Sequence, residues 1–551
     1  MMLSFAVFDE QSGATFAPAQ GWDLADAHMF GPDGIPVPAE LRIEQGRILC
    51  DKPSAEPAGL ALPFPHPTTS GADANQPALM LATCLLPERD TPYLLSLELA
   101  RQRIMTLLNK LEDWQLVDLA PEQPAIAALE RARLAFTEAL VSHRLASGGQ
   151  GQYSAEAERL SRLALAHAND ASGALVAVST ERGFPDRVSG AGYLAVVAGH
   201  ASKPKLKPGT PGPPLKSQND TGLVLPGKPA VAASINPAQF SAPIQQAVTA
   251  ASDLLALPMR WRDLEPDEGR YSFAATDRWI EWAVRRAKVQ VSAGPVITFA
   301  RSDVPDWLYI WEHDYETLRE VVYEHVKNVI TRYRRTVPRW TILSGLNRNE
   351  NIQLTFEQMM DLTRMTLLLA RKLHPQGKIA IEVDHPFASE PGHKPRSLPG
   401  ALYAEMVQQA GMGVDAWGIR LELERPKPGR IARDLMHLSA ALDRYALLDR
   451  PLAVTAVSPA VEPGSPPRTT EEIQWLAQAF ELIVSKPSVL SLVWQERELP
   501  AGAKGPVPGS VILGSGDPRA SVRSLAELRK RIREAGQPQP SPSGANVEAS
   551  A

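Results

Sequence analysis

The sequence predicts an α/β fold, a TIM (β/α)8 barrel, on two observations. Residues 223–535 carry eight short apolar runs of β type, and amphipathic helical runs lie between them. The β-type runs are Ala230 to Ile235, Asp253 to Pro258, Val289 to Phe299, Trp340 to Leu343, Lys378 to Val383, Val414 to Leu421, Leu452 to Val457 and Val489 to Trp494. In one helical run Leu318, Val322, Val326, Val329 and Tyr333 fall on one stripe. Eight uniform units fit a closed parallel barrel better than an open doubly wound sheet, and barrel chemistry sits at the C-terminal strand ends.

The barrel is preceded by a small β module and a helical segment. Residues 1–90 read as β-rich: Leu41, Ile43 and Ile48, Cys50 flank Gln45-Gly46 as a hairpin, and Leu79, Leu81, Thr83 continue a small antiparallel sheet. Residues 91–200 turn helical, with Leu94, Leu97, Ile104, Leu107, Leu108 and Leu111 on one face and a further helix from Ala155 to about His167. Residues 201–222, rich in Pro and Lys and poor in apolar side chains, read as a linker, and residues 536–551 as a disordered tail.

Composition narrows the function classes. Lys and Arg number 57 against 62 Asp and Glu, a net charge of −5 without long blocks of one sign, so nucleic acid is not an expected partner. The two cysteines, Cys50 and Cys84, form no CxxC pair and fit a reducing compartment. No signal-like N-terminus is visible and the apolar runs are shorter than the ~18 residues of a membrane span, so the expected location is cytoplasmic, off the membrane. The segment Gly190-Ala191-Gly192-Tyr193-Leu194-Ala195 formally matches a dinucleotide fingerprint, but no strand precedes it and no acidic partner is placed within a βαβ unit, so no dinucleotide site is expected. No metal or cofactor is expected: there is no HExxH helix and no calcium loop.

The segment Trp261-Arg-Asp-Leu-Glu265-Pro266-Asp-Glu-Gly269-Arg-Tyr271-Ser-Phe273, followed by Asp277, resembles the second βα unit of glycoside hydrolase family 10, the endo-1,4-β-xylanases. Pro305-x-Trp307, Trp340, Trp417-Gly418 and Trp494 follow in the family's order. The resemblance implies a glycosidase barrel, action on β-linked polysaccharide, and two glutamates that protonate the leaving oxygen and attack the sugar. At the position of the family's acid/base this chain reads Trp340-Thr341-Ile342-Leu343-Ser344-Gly345, and at that of the nucleophile Val454-Thr455-Ala456-Val457-Ser458. Gly345 and Ala456 carry no carboxyl group.

The substrate-binding positions depart too. The family's Glu-Asn-x-Met-Lys-Trp becomes Ala256-Leu257-Pro258-Met259-Arg260-Trp261, its third-strand His becomes Arg301, its fifth-strand Asn Glu382, and its Gln-x-His Arg420-Leu421-Glu422. The expected mouth therefore gathers Arg260, Trp261, Arg301, Asp303, Asn347, Arg348, Glu350, Glu382, Asp384, His385, Arg420, Glu422, Trp494 and Glu496, with Trp494 the best sugar-stacking ring. Arg301, Glu382, Arg420 and Glu422 are expected to pair with one another. Three functions stay open: a xylanase-like barrel without the two-glutamate mechanism that binds a β-linked oligo- or polysaccharide, an active hydrolase using Glu382 or Glu422 as relocated carboxylates, and an interaction protein with a filled cleft.

Overall fold

A computed structural model describes residues 2–8, 24, 26–44, 46–65, 78–146, 154–199, 212–216, 222–387, 396–425 and 431–535. Most of the expected linker and all of the expected tail lie outside the described residues.

All eight anticipated runs form strands of one parallel barrel: Ala230–Ala233, Leu254–Leu257, Gln290–Ala293, Arg339–Ser344, Lys378–Asp384, Ala416–Glu422, Leu452–Val457 and Val489–Gln495. Each pairs with its sequence neighbour, the last pairs with the first, and a bridge from Ser234 to Ala256 closes the ring. The third run is split: after Gly294 and Pro295 it resumes as Ile297–Thr298 against the fourth strand. Gly294 has φ +132, and a Cβ there would overlap the backbone of Thr341.

The period-two alternation of each strand sorts its side chains. Ile379, Ile381, Val383, Trp417, Ile419 and Leu421 face the helices and join the main hydrophobic core. The alternate positions turn into the bore, where Ala232, Ala256, Ser292, Thr341, Gly418 and Thr455 are small, leaving space that larger polar side chains fill from above. Two of the outer helices start on capping boxes, Thr355 with Gln358 and Thr469 with Glu472.

In the N-terminal module the hairpin has the expected register, Leu41 opposite Cys50 and Ile43 opposite Ile48, with Gly46 at φ +73. The run Ala78–Ala82 does not extend that sheet. It pairs with Gly59–Pro65, a strand that Pro63 and Pro65 had concealed although Leu60, Leu62 and Phe64 alternate into the core, in a second sheet. That sheet is completed by Ile431–Ala432, lent by the connection after the sixth barrel strand.

The helical segment, Leu95–Asp113, Pro124–Ala146, Ala155–Ser189 and Ala191–Gly199, lies against the barrel, and Leu107, Leu175, Val176 and Phe184 share its hydrophobic core. Polar ties cross the interface. The Arg187 guanidinium donates to the Val489 carbonyl at 2.8 Å, Arg103 pairs with Asp434, and Lys110 and Lys486 converge on Asp443 at 3.0 and 2.7 Å. Burial pulls the Lys486 ammonium below its usual range. Burial pushes the Asp443 carboxyl up, but the two lysines outweigh it and hold it below its ordinary value. Among the described residues no helix is long and apolar enough to cross a membrane.

Asp443→Asn strands two cations at this interface and is expected to cost about 3 kcal/mol in urea unfolding. The native carboxyl is depressed, so its stabilisation is complete above about pH 5 and lost as pH falls through the folded value. Acid melts of the wild type should show this loss, and those of Asp443→Asn a shallower one.

Candidate functional site

The C-terminal strand ends surround a cavity of about 420 Å³. The chain leaving the eighth strand folds back over it as a short hairpin, Arg497–Glu498 against Val507–Pro508. Among the contacts that seat the hairpin, the Asn236 side-chain amide donates to the Pro508 carbonyl at 2.9 Å, and Lys504 pairs with Asp306 at 2.8 Å.

Glu382, buried at the end of the fifth strand, forms the floor of the mouth. The hydroxyl of Ser344 on the fourth strand donates to Oε1 at 2.6 Å, and that of Thr455 on the seventh donates to Oε2 at 2.5 Å. Arg420 on the sixth strand lies 3.6 Å away and also donates to Gln495 Oε1 on the eighth at 3.2 Å. The carboxylate has room because Gly418 is beside it; a Cβ there would come within 2.7 Å of the Glu382 Cβ. Two residues on, Asp384 accepts from the His385 backbone N–H at 2.9 Å and pairs with Arg348 at 3.4 Å. Burial pushes its carboxyl up, but His385, Arg420 and Arg348 bring it below its usual range. Asn347 is structural, donating to the Asp384 carbonyl at 3.0 Å, and Glu350 pairs with Arg348 at 2.5 Å.

The four residues expected to pair mutually do not all do so. Arg420 meets Glu382, but Glu422 lies on the rim, paired with Arg497 from the hairpin. Arg301 is exposed on the turn after Thr298. Arg260 clamps that turn instead, with Asp303 at 2.8 Å and the Ser302 carbonyl as partners. The separation has a simple cause: the third strand ends early at Gly294, so its continuation reaches the rim rather than the floor.

Strand phase also relocates the tryptophans. Trp494 is 1% exposed, because Val493 and Gln495 take the bore and Trp494 turns outward onto Phe480. Its indole donates to Glu496 at 2.9 Å, and Arg468 grips the same buried carboxylate. Trp261 is 0% exposed, stacked on His325 and donating to Glu265 at 2.8 Å. Neither ring, and not Glu496, lines the cavity.

Gly345 stands at the mouth with φ +67, its N–H donating to the Glu382 carbonyl at 3.1 Å. Ala456 faces the helices, in the core, and the bore-facing neighbour is Thr455. Sequence reasoning passed over Ser344, Thr455, Gln495 and Arg497. The alternation within the seventh strand, with Leu452 and Val454 apolar and Thr455 polar, was a usable signal for Thr455. Among the described residues no three His, Cys, Asp or Glu side chains gather to hold a metal ion. The site can hold polar groups through fixed hydroxyls and guanidiniums around anchored carboxylates.

Arg420→Ala leaves Glu382 with two hydroxyl donors and is expected to cost about 2 kcal/mol in urea unfolding, as for a buried charge that loses one of its partners. No loss of stability would mean that the pair contributes nothing.

Residues 230–494 match the family model described as glycosyl hydrolase family 10. Over 89 residues the chain is 26% identical to endo-1,4-beta-xylanase B of Humicola insolens, covering 16% of this chain and 24% of that protein. Over 86 residues it is 26% identical to endo-1,4-beta-xylanase B of Thermotoga neapolitana, with the same coverage. The chain thus spans about a quarter of the length of the curated relatives it matches. Among solved structures, xylanase 10B of Thermotoga maritima matches with a TM-score of 0.43 at 14% identity, over 56% of this chain and 97% of that one. Xylanase 10B of Thermotoga petrophila RKU-1, in complex with xylobiose, matches with a TM-score of 0.42 at 15% identity, over 55% and 95%.

Proposed function

The barrel of this chain is glycosyl hydrolase family 10-like, and from that premise we propose that its mouth binds a β-linked glycan without the family's two-glutamate mechanism. The observation that carries the reading is the state of Glu382: two hydroxyls and a guanidinium occupy the floor carboxylate. Glycine stands at the acid/base position, and alanine, with threonine beside it, at that of the nucleophile. Retaining hydrolysis needs one carboxylic acid and one carboxylate nucleophile about 5 Å apart across the scissile bond. Glu422, the other relocated candidate, is paired with Arg497 on the rim.

The open cavity favours binding over a filled cleft, and the xylobiose complex of the Thermotoga petrophila relative makes xylo-oligosaccharides the first ligands to try. The reading takes the protein as cytoplasmic, in keeping with two free cysteines, and its ligand as an oligosaccharide.

Calorimetric titration with xylobiose through xylohexaose should show binding, and a ligand at a hundred times its Kd should add about 2.7 kcal/mol of stability. Aryl xylosides should not turn over. Gly345→Glu should not restore turnover, since a side chain on that left-handed backbone costs about 1 kcal/mol and its Cβ would lie 3.4 Å from the Asp384 Cβ. Hydrolysis at ordinary xylanase rates, or no saccharide binding at all, would reject the reading.

A further inference from the structure

The charges that line the cavity do not balance. Six cations, Arg260, Arg301, Arg348, Arg420, Arg497 and Lys504, face it together with four carboxylates. Each of those carboxylates has its cation: Asp303 has Arg260, Glu350 and Asp384 share Arg348, and Glu382 has Arg420. Arg497 and Lys504 are matched by Glu422 and Asp306, outside the cavity lining. Arg301 alone among these six makes no ion pair among the described residues.

Its position is nevertheless built. Besides the Arg260 clamp, the Arg262 backbone N–H donates to the Asp303 carbonyl at 2.9 Å, and the Arg262 guanidinium donates to the Val304 carbonyl at 3.1 Å. Two arginines from the second strand's end thus fix the turn that presents Arg301, so little backbone order remains to be gained on binding. Stacking offers the mouth little: Phe299 is the one aromatic ring among the described residues that line it. Recognition by a guanidinium fork suits an oxyanion, which it grips with two parallel hydrogen bonds.

We propose that the mouth takes a saccharide bearing an oxyanion, a uronate carboxylate or a phosphate ester, seated against Arg301. The proposal rests on the glycan-binding reading above and adds the ligand's charge. The neighbouring carboxylates are each paired with an arginine, Glu350 and Asp384 sharing Arg348, which reduces their opposition to an anion.

Calorimetry with the full chain tests it with four probes: xylotetraose, xylotetraose carrying a glucuronic acid branch, glucose 6-phosphate and inorganic phosphate. At least one acidic saccharide should bind at least tenfold more tightly than neutral xylotetraose. That preference should weaken several-fold as salt rises, vanish in Arg301→Ala and survive in part in Arg301→Lys, with unchanged melting temperatures because the side chain is exposed. The carboxylate and phosphate arms separate the two sources of the anion. Equal binding of neutral and acidic saccharides overturns the charge assignment and leaves the glycan reading standing. Binding of inorganic phosphate without any saccharide overturns the glycan reading and, with it, the saccharide in this proposal. No binding by any probe overturns both.

Discussion

Placing a carboxylate at the floor of a barrel constrains every strand around it. Unpaired, a buried charge costs several kcal/mol, so its partners must come from the walls. Glu382 draws a hydroxyl from the fourth strand, another from the seventh and a guanidinium from the sixth, and Arg420 is in turn held by Gln495 of the eighth. Gly418 stays side-chain-free to admit it. Five consecutive strands around the ring are thereby committed to one carboxylate, and the open part of the mouth falls toward the second and third strands, where Arg260 and Arg301 lie.

The fold was legible because its signal is repeated. Eight β-type runs with amphipathic helices between them tolerate errors in any one boundary, and each run became a strand even where Gly294 and Pro295 split the third. The hairpin at Gly46 was equally readable, since local turn chemistry sets its register. What escaped was non-local. Nothing in Gly59–Pro65 or Ile431–Ala432 announces that segments so far apart in the chain share a sheet.

The site was legible by type and only partly by place. Glu382, Asp384, Arg420 and Arg260 were expected at the mouth, and all four line the cavity. Trp494 and Ala456 were misplaced for one shared reason: they sit opposite each other in the register of the seventh and eighth strands and face outward together. A one-residue error of phase exchanges bore for core, and motif spacing carries no phase. The small hydroxyls Ser344 and Thr455 were overlooked because their role depends on a carboxylate that lies on another strand.

Phase also separates the residues behind the family resemblance from those that line the cavity. Trp261, Trp340, Trp417 and Trp494, four of the residues on which the resemblance rests, are all buried, and all join the core between strands and helices. There their volume is fixed by packing, and a smaller residue would leave a cavity costing several kcal/mol. The departures at Arg301, Gly345, Glu382 and Arg420 line the cavity. For Glu382 and Arg420 the constraint is pairing of charge rather than volume, and it can be met by many residue sets. The resemblance thus rests on residues packed between strands and helices, and a likeness read from them says little about what the inward residues bind.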